Sequence, residues 1–250
     1  MRRALVAANW KMNASVAAID AFVRAWPRPP SDVDVVFCPP FGYVERLAAA
    51  FTGDVQIGVQ DVGVETGGAY TGEHSAEMAA DLGAAYCIVG HSERRAMHGE
   101  DDAVVAGKFR ATLRAGLTPV LCVGETLSER RAGEAKETVL RQLDAVLNDS
   151  GAQPFADAVV AYEPVWAIGT GATASLEQAA EMHGTIRQRL AAEDAGAAAA
   201  VRIVYGGSVK AANAALLFAQ GDIDGGLVGG ASLDPREFAT ICAAASGVGQ

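Results

Sequence analysis

Apolar residues along the chain gather into short β-prone runs at residues 4–8, 33–38, 55–60, 86–90, 118–123, 158–162, 201–205 and 224–228. Between them, apolar positions recur at helical spacing, as in 16–26, 103–115, 135–147, 176–190 and 211–218. Eight runs in 250 residues is one per roughly 31, the length of a βα unit. Strict alternation of strand and helix predicts a parallel sheet. The runs are apolar at consecutive rather than alternate positions, as strands covered on both faces require. The Ala-rich stretch 191–200 reads as a helix end and its following loop.

Eight such units can close into a (β/α)8 barrel with parallel strands, and this is the predicted fold. An open doubly wound sheet is the competitor. The first strand-to-helix turn reads Asn9-Trp10-Lys11-Met12-Asn13, without the G-x-G-x-x-G of a dinucleotide site. No linker, low-complexity tract or composition break divides the chain, so one barrel domain over residues 1–250 is expected.

Composition narrows the setting. Half of the chain is hydrophobic and 20% is charged, and no apolar stretch approaches the roughly 18 residues that span a bilayer. The basic Met1-Arg2-Arg3 is followed by an apolar run that ends at Asn9, which is too short for an export signal. Cys38, Cys87, Cys122 and Cys242 stand singly. Reduced, buried thiols in a cytoplasmic protein are therefore expected. The net charge of −10 would repel nucleic acid and anionic membranes, which argues against both as partners. An anionic small substrate would need a locally positive site.

Chemistry in such a barrel collects at the C-terminal strand ends. The polar residues there are Asn9 and Lys11 after the first run, Gln60 after the third, His91 and Glu93 after the fourth, and Glu163 after the sixth. Ser208 follows the seventh run, and Gly229 and Gly230 follow the eighth. Taken singly, Lys11 reads more often as a surface lysine, His91 as a satisfied strand-end residue and Ser208 as a helix N-cap. Glu163 alone could be a solvated loop carboxylate. Together they supply one candidate base, one imidazole, one cation and two Gly-rich loops, with no nucleophile–base pair and no metal cluster.

Glu163 ends an apolar run, Pro164 blocks its extension, and Gly169 and Gly171 follow, which suggests a base beneath a lid over residues 164–174. The set suits proton abstraction beside a carbonyl in a phosphorylated substrate. Glu163 would take the proton, and His91 and Lys11 would face the oxygen that becomes an enediolate. Ser92-Glu93-Arg94-Arg95 reads as a helix start, whose positive end would keep His91 a neutral donor. N–H groups of Gly169, Ser208, Gly229 and Gly230, with a short helix near the last loop, would hold the phosphate.

Eight motifs carry a family resemblance. They are A-x-N-W-K-M-N at 7–13, C-P-P-F at 38–41, G-A-Y-T-G-E at 68–73, I-V-G-H-S-E-R-R at 88–95 and P-V-L-C-V-G-E-T at 119–126. A-Y-E-P-V-W-A-I-G-T-G at 161–171, V-Y-G-G-S-V at 204–209 and G-L-V-G-G-A-S-L at 226–233 complete the set. From end to end the chain resembles the triosephosphate isomerase family. The resemblance implies interconversion of dihydroxyacetone phosphate and D-glyceraldehyde 3-phosphate through an enediol, without metal or organic cofactor. It makes Glu163 the base, His91 the electrophile, and Asn9 and Lys11 the holders of substrate. Gly169, Ser208, Gly229 and Gly230 would hold the phosphate, Glu93 would support the lysine, and Tyr205 and Ser208 would latch the lid. It also implies a homodimer in which loop 67–73 reaches into the partner and Thr71 touches the partner's site. Two residues depart from the family pattern. Ala172 stands where the lid commonly carries lysine, and Asp61 where asparagine is common. A paralogue acting on a longer ketose phosphate is the rival enzyme, and a non-catalytic sugar-phosphate binder the rival of another class.

Overall fold

Eight strands pair in chain order and the last returns to the first. In the computed structural model, which describes residues 2–51, 53, 55–169 and 173–247, they are β1 (Ala4–Asn9), β2 (Val33–Cys38), β3 (Gln56–Val59), β4 (Tyr86–Val89), β5 (Thr118–Val123), β6 (Val159–Tyr162), β7 (Arg202–Tyr205) and β8 (Gly225–Val228). They form a closed barrel, parallel at every seam, with Leu5 opposite Gly225 where β1 meets β8. The closed alternative is thus the one adopted.

The two-sided apolar character of the strands has a direct cause. Successive side chains point to opposite faces, and each face has its own core. Leu5, Ala7, Val36, Ile88, Val120, Cys122, Val159, Ala161, Val204 and Leu227 fill the barrel interior. Their neighbours Val6, Ala8, Phe37, Val89, Leu121, Val160, Ile203 and Val228 pack outward against the helices. All four cysteines are unpaired and buried, and burial pushes the Cys38 thiol up to about 12.

The helices are α1 (Val16–Ala25), α2 (Val44–Ala50), α3 (Ala76–Asp81), α4 (Ser92–His98), α5 (Asp102–Arg114), α6 (Leu127–Ala132), α7 (Ala135–Ser150), α8 (Leu176–Glu193), α9 (Ala195–Ala200), α10 (Ala211–Phe218) and α11 (Pro235–Ala244). Their starts are capped as the sequence allows. Ser15 accepts from the Ala18 N–H at α1, and Ser175 and Gln178 form a reciprocal capping box at α8.

One expectation is corrected. Residues 191–200 are not a helix end and a loop, because α9 occupies Ala195–Ala200. Asp194 Oδ1 accepts from the N–H groups of Gly196 (2.8 Å) and Ala197 (3.0 Å) and starts this new helix. The eighth strand also begins one residue later than expected. Asp224 instead takes Arg2 at 2.7 Å and Arg187 at 2.7 Å, a charge arrangement no strand period encodes.

The C-terminal end of the barrel is shaped by close backbone approach. A Cβ on Gly124 would stand 1.7 Å from the Glu163 carbonyl oxygen. Glycine there lets Glu163 emerge directly against β5, with its N–H donating to the Val123 carbonyl at 2.8 Å. No helix of the described residues is long and apolar enough to cross a membrane.

Candidate active site

At that end lies a cavity of about 270 Å³. Asn9, Lys11, His91, Glu163, Gly169, Ser208, Gly229 and Gly230 all line it. Glu93 is not in the wall. It reaches the site through Lys11, whose Nζ lies 2.5 Å from Glu93 Oε1.

Lys11 directly follows the first strand and Trp10, and its backbone is unusual. With φ 51°, it is the only non-glycine residue with positive φ among the described residues, a conformation that costs roughly 1–2 kcal/mol. Hydrogen bonds hold it there. The Lys11 N–H donates to Asn9 Oδ1 at 3.0 Å. Gln60 Nε2 donates both to the Lys11 carbonyl at 2.8 Å and to the Cys38 carbonyl at 2.9 Å, which ties the turn to the end of β2.

His91 is the N-cap of α4, and its Nδ1 accepts the Glu93 N–H at 3.2 Å. That bond assigns the ring proton to Nε2, which faces Glu163 Oε1 at 3.0 Å. Burial works against imidazolium, the Glu163 carboxylate works for it, and the net direction is above the ordinary histidine value. The Glu93 N–H aimed at Nδ1 opposes the second proton, because imidazolium has no lone pair to receive it. The expected position of the ring at a helix start is therefore observed, and beside it stands the Glu163 carboxylate, whose pull toward imidazolium runs against the expected neutral state.

Glu163 is 1% exposed. Its Oε2 accepts the Ser92 N–H at 2.9 Å, while Oε1 has the His91 contact without the alignment of a hydrogen bond. Burial raises its pKa, His91 and the Ser92 N–H lower it, and the net direction is downward, toward a carboxylate that stays ionised. Gly206 fixes how the side chain lies, since a Cβ there would come within 2.9 Å of Glu163 Cγ.

The candidate lid starts as a 3-10 turn at Val165–Ala167. Its near end is tied to Glu125, a fully buried carboxylate at the end of β5. Trp166 Nε1 donates to Glu125 Oε1 at 2.8 Å and the Val165 N–H to the Glu125 carbonyl at 3.1 Å. Arg130 and the Tyr162 hydroxyl donate to the same Oε1. Thr170, Gly171 and the divergent Ala172 lie outside the described residues. At the far end, Ala174 and Tyr205, the expected latch residue, are both buried. Ser208 does not cap a helix. That position belongs to Lys210, while the Ser208 carbonyl accepts from Asn213 at 3.0 Å.

Opposite, Gly229 leads into a 3-10 turn at Gly230–Leu233, where the Ser232 hydroxyl donates to the Gly229 carbonyl at 2.6 Å. This is the short helix expected near the last loop. Gly206, Gly207, Lys210, Leu227 and Leu233 also belong to the wall, and the sequence reading missed them as site residues. Glu125 was findable by the rule that gave the other strand-end residues, because it directly follows the fifth run and Gly124.

The chain as a whole matches known proteins. The family model for Triosephosphate isomerase covers residues 4–245. The triosephosphate isomerase of Alcanivorax borkumensis is 53% identical over 244 residues, 98% of this chain and 99% of its own. That of Thiobacillus denitrificans is 54% identical over 247 residues, 98% and 100% of the two chains. That of Halorhodospira halophila is 51% identical over 247 residues, 98% and 99%. On the strength of this end-to-end match, the chain belongs to the triosephosphate isomerase family.

Proposed function

We propose that the chain interconverts dihydroxyacetone phosphate and D-glyceraldehyde 3-phosphate through an enediolate, with Glu163 carrying the carbon-bound proton. The observation that supports this most is the meeting of three groups in one mouth. Glu163 Oε1 lies 3.0 Å from His91 Nε2, and Lys11 lines the same cavity.

From the ketose, the Glu163 carboxylate takes a proton from C1. The C1–H electron pair becomes the C1–C2 double bond, and the carbonyl pair moves onto O2. His91 donates from Nε2 and Lys11 supplies positive charge to that oxygen. His91 gives its Nε2 proton to O2 and takes the O1–H proton back onto Nε2; the O1 electron pair then forms the C1 carbonyl while the C1–C2 double-bond pair takes the Glu163 proton at C2, which leaves the aldehyde at C1. General-base catalysis of this kind contributes about 10²–10⁴-fold, and each oriented donor to the oxyanion roughly 3 kcal/mol. Asn9 and Lys11 position the substrate, Glu93 orients the lysine, and Gly169, Ser208, Gly229 and Gly230 present N–H groups to the phosphate. The scheme uses no metal and no organic cofactor. The lid over residues 164–174 excludes water, which keeps the enediolate from losing phosphate.

The same reading includes a homodimer through loop 67–73, with Thr71 completing the partner's site. Support comes from the exposure of every residue from Gly67 to Glu73. A cytoplasmic setting accords with the four unpaired cysteines.

The test is a coupled assay with D-glyceraldehyde 3-phosphate on the native chain and on Glu163→Gln. The variant is expected to lose about 10²–10⁴-fold in kcat while its inhibition by inorganic phosphate changes little. Near-native turnover in the variant would remove Glu163 from the role of base.

A further inference from the structure

Lys11 is held from two sides by groups that belong to different segments. Its carbonyl takes Gln60 Nε2 at 2.8 Å, and its ammonium takes Glu93 Oε1 at 2.5 Å. Gln60 follows β3, whereas Glu93 lies in the first turn of α4. The next residue in each segment is charged, and the two meet. Asp61 Oδ2 lies 2.8 Å from Arg94 Nη2.

This bridge is not an isolated surface pair. Lys108 of α5 donates to both Asp61 oxygens at 2.7 Å and to Glu100 Oε1 at 2.6 Å, and Arg94 Nε donates to the same Glu100 oxygen at 2.6 Å. Two acids and two bases thus close a ring, whose side chains are 6% (Lys108), 5% (Glu100), 15% (Asp61) and 27% (Arg94) exposed. Ion pairs this far from water are weakly screened and geometrically demanding, so the ring behaves as a rigid fastener.

We propose that Asp61 is a positioning residue for Lys11, because its bridge to Arg94 locks together the two segments whose adjacent residues, Gln60 and Glu93, hold the lysine. The left-handed backbone of Lys11 is the feature on which such a lock would act. A residue at φ 51° persists only where its surroundings over-determine it. The Gln60 bond and the Glu93 contact do so only while β3's exit and α4 keep their spacing. Asparagine at position 61 would keep the size of the side chain and one acceptor oxygen but remove the charge that engages Arg94 and Lys108 together. The inference rests on the proposed role of Lys11 as the cation that meets the substrate.

The experiment measures KM and kcat for D-glyceraldehyde 3-phosphate and the inhibition constant of inorganic phosphate in Asp61→Ala, Asp61→Asn and Lys11→Met. Lys108 and Arg94 each keep Glu100 in the Asp61 variants, and Asp61→Asn carries the test should the alanine variant fail to fold. For Asp61→Ala, KM and the phosphate inhibition constant are expected to rise together by about tenfold, with kcat within about threefold. Asp61→Asn is expected to show the same split at smaller amplitude. A merely structural Asp61 would lower the unfolding midpoint and leave both constants within twofold of native, and that result overturns the proposal. Lys11→Met separates the two levels. If it loses phosphate affinity while the Asp61 variants keep theirs, the lock fails alone; if it keeps phosphate affinity, the role of Lys11 fails and the lock with it.

Discussion

At the residue scale, the candidate site depends on side chains that are absent as much as on those present. Gly206 stands where β7 leads into the loop that carries Ser208, and a Cβ there would lie 2.9 Å from Glu163 Cγ and 3.1 Å from the Tyr162 carbonyl oxygen. The carbonyl belongs to β6 and cannot yield, so the Glu163 side chain would. Gly206→Ala is therefore expected to lower kcat by about 10–100-fold with little change in phosphate inhibition, since a displacement near 1 Å is enough for a loss of that size. Steady-state kinetics of the variant decides, and a kcat within twofold of native would show that the neighbours relax. Glu163, His91 and Lys11 were legible in the sequence because each is a chemically active type at a strand exit. Gly206 was not legible as a constraint on Glu163. That role exists only in the distance between two loops 43 residues apart.

At the element scale, a buried histidine joins Arg187 in tying α8 to the loop before β8. His183 Nδ1 pairs with the Asp222 carbonyl oxygen at 3.0 Å, and its ring packs against Tyr162 and Tyr205. Burial drives its pKa down from 6.5 to about 4. The folded state therefore holds this imidazole neutral, while the unfolded chain protonates it from about pH 6.5 downward. Stability from this source is complete above the unfolded value and is lost as pH falls toward 4, by roughly 2 to 3 kcal/mol at pH 4.5. Urea unfolding of the native chain and of His183→Gln, at pH 7 and pH 4.5 and one protein concentration, measures it. Equal acid losses in the two proteins would assign the effect to other groups. The eight strands were readable because each is a dense apolar run. The six-residue helices α3 and α6 are too short to display a helical period. The helix α9 was hidden for another reason. Ala-Gly-Ala-Ala-Ala-Ala has no polar face to mark a period, and only the Asp194 cap distinguishes it from the end of α8.

For the whole molecule, the proposed dimer explains what the isolated chain leaves in water. Met12 is 96% exposed, Met97 75% and Tyr70 51%. Met12 adjoins Lys11, Met97 lies on α4 beside the ring that includes Arg94, and Tyr70 is at the centre of loop 67–73. Large apolar side chains left open in this way are what the contact of the proposed dimer would bury. A net charge of −10 on each copy opposes association, so the contact must be carried by apolar burial and close fit rather than by attraction between the molecules. Sedimentation is expected to give twice the 25.7 kDa of one chain. Tyr70→Lys should place a desolvated charge in that contact and shift the equilibrium to monomer. Because Thr71 is proposed to complete the neighbour's site, the monomer should lose activity in step with dissociation. Specific activity of the variant should then rise with protein concentration, which a misfolded or locally damaged site would not produce. A Tyr70→Lys monomer with native turnover at nanomolar concentration would show that each barrel builds its site unaided, and the exposed loop would then need another explanation.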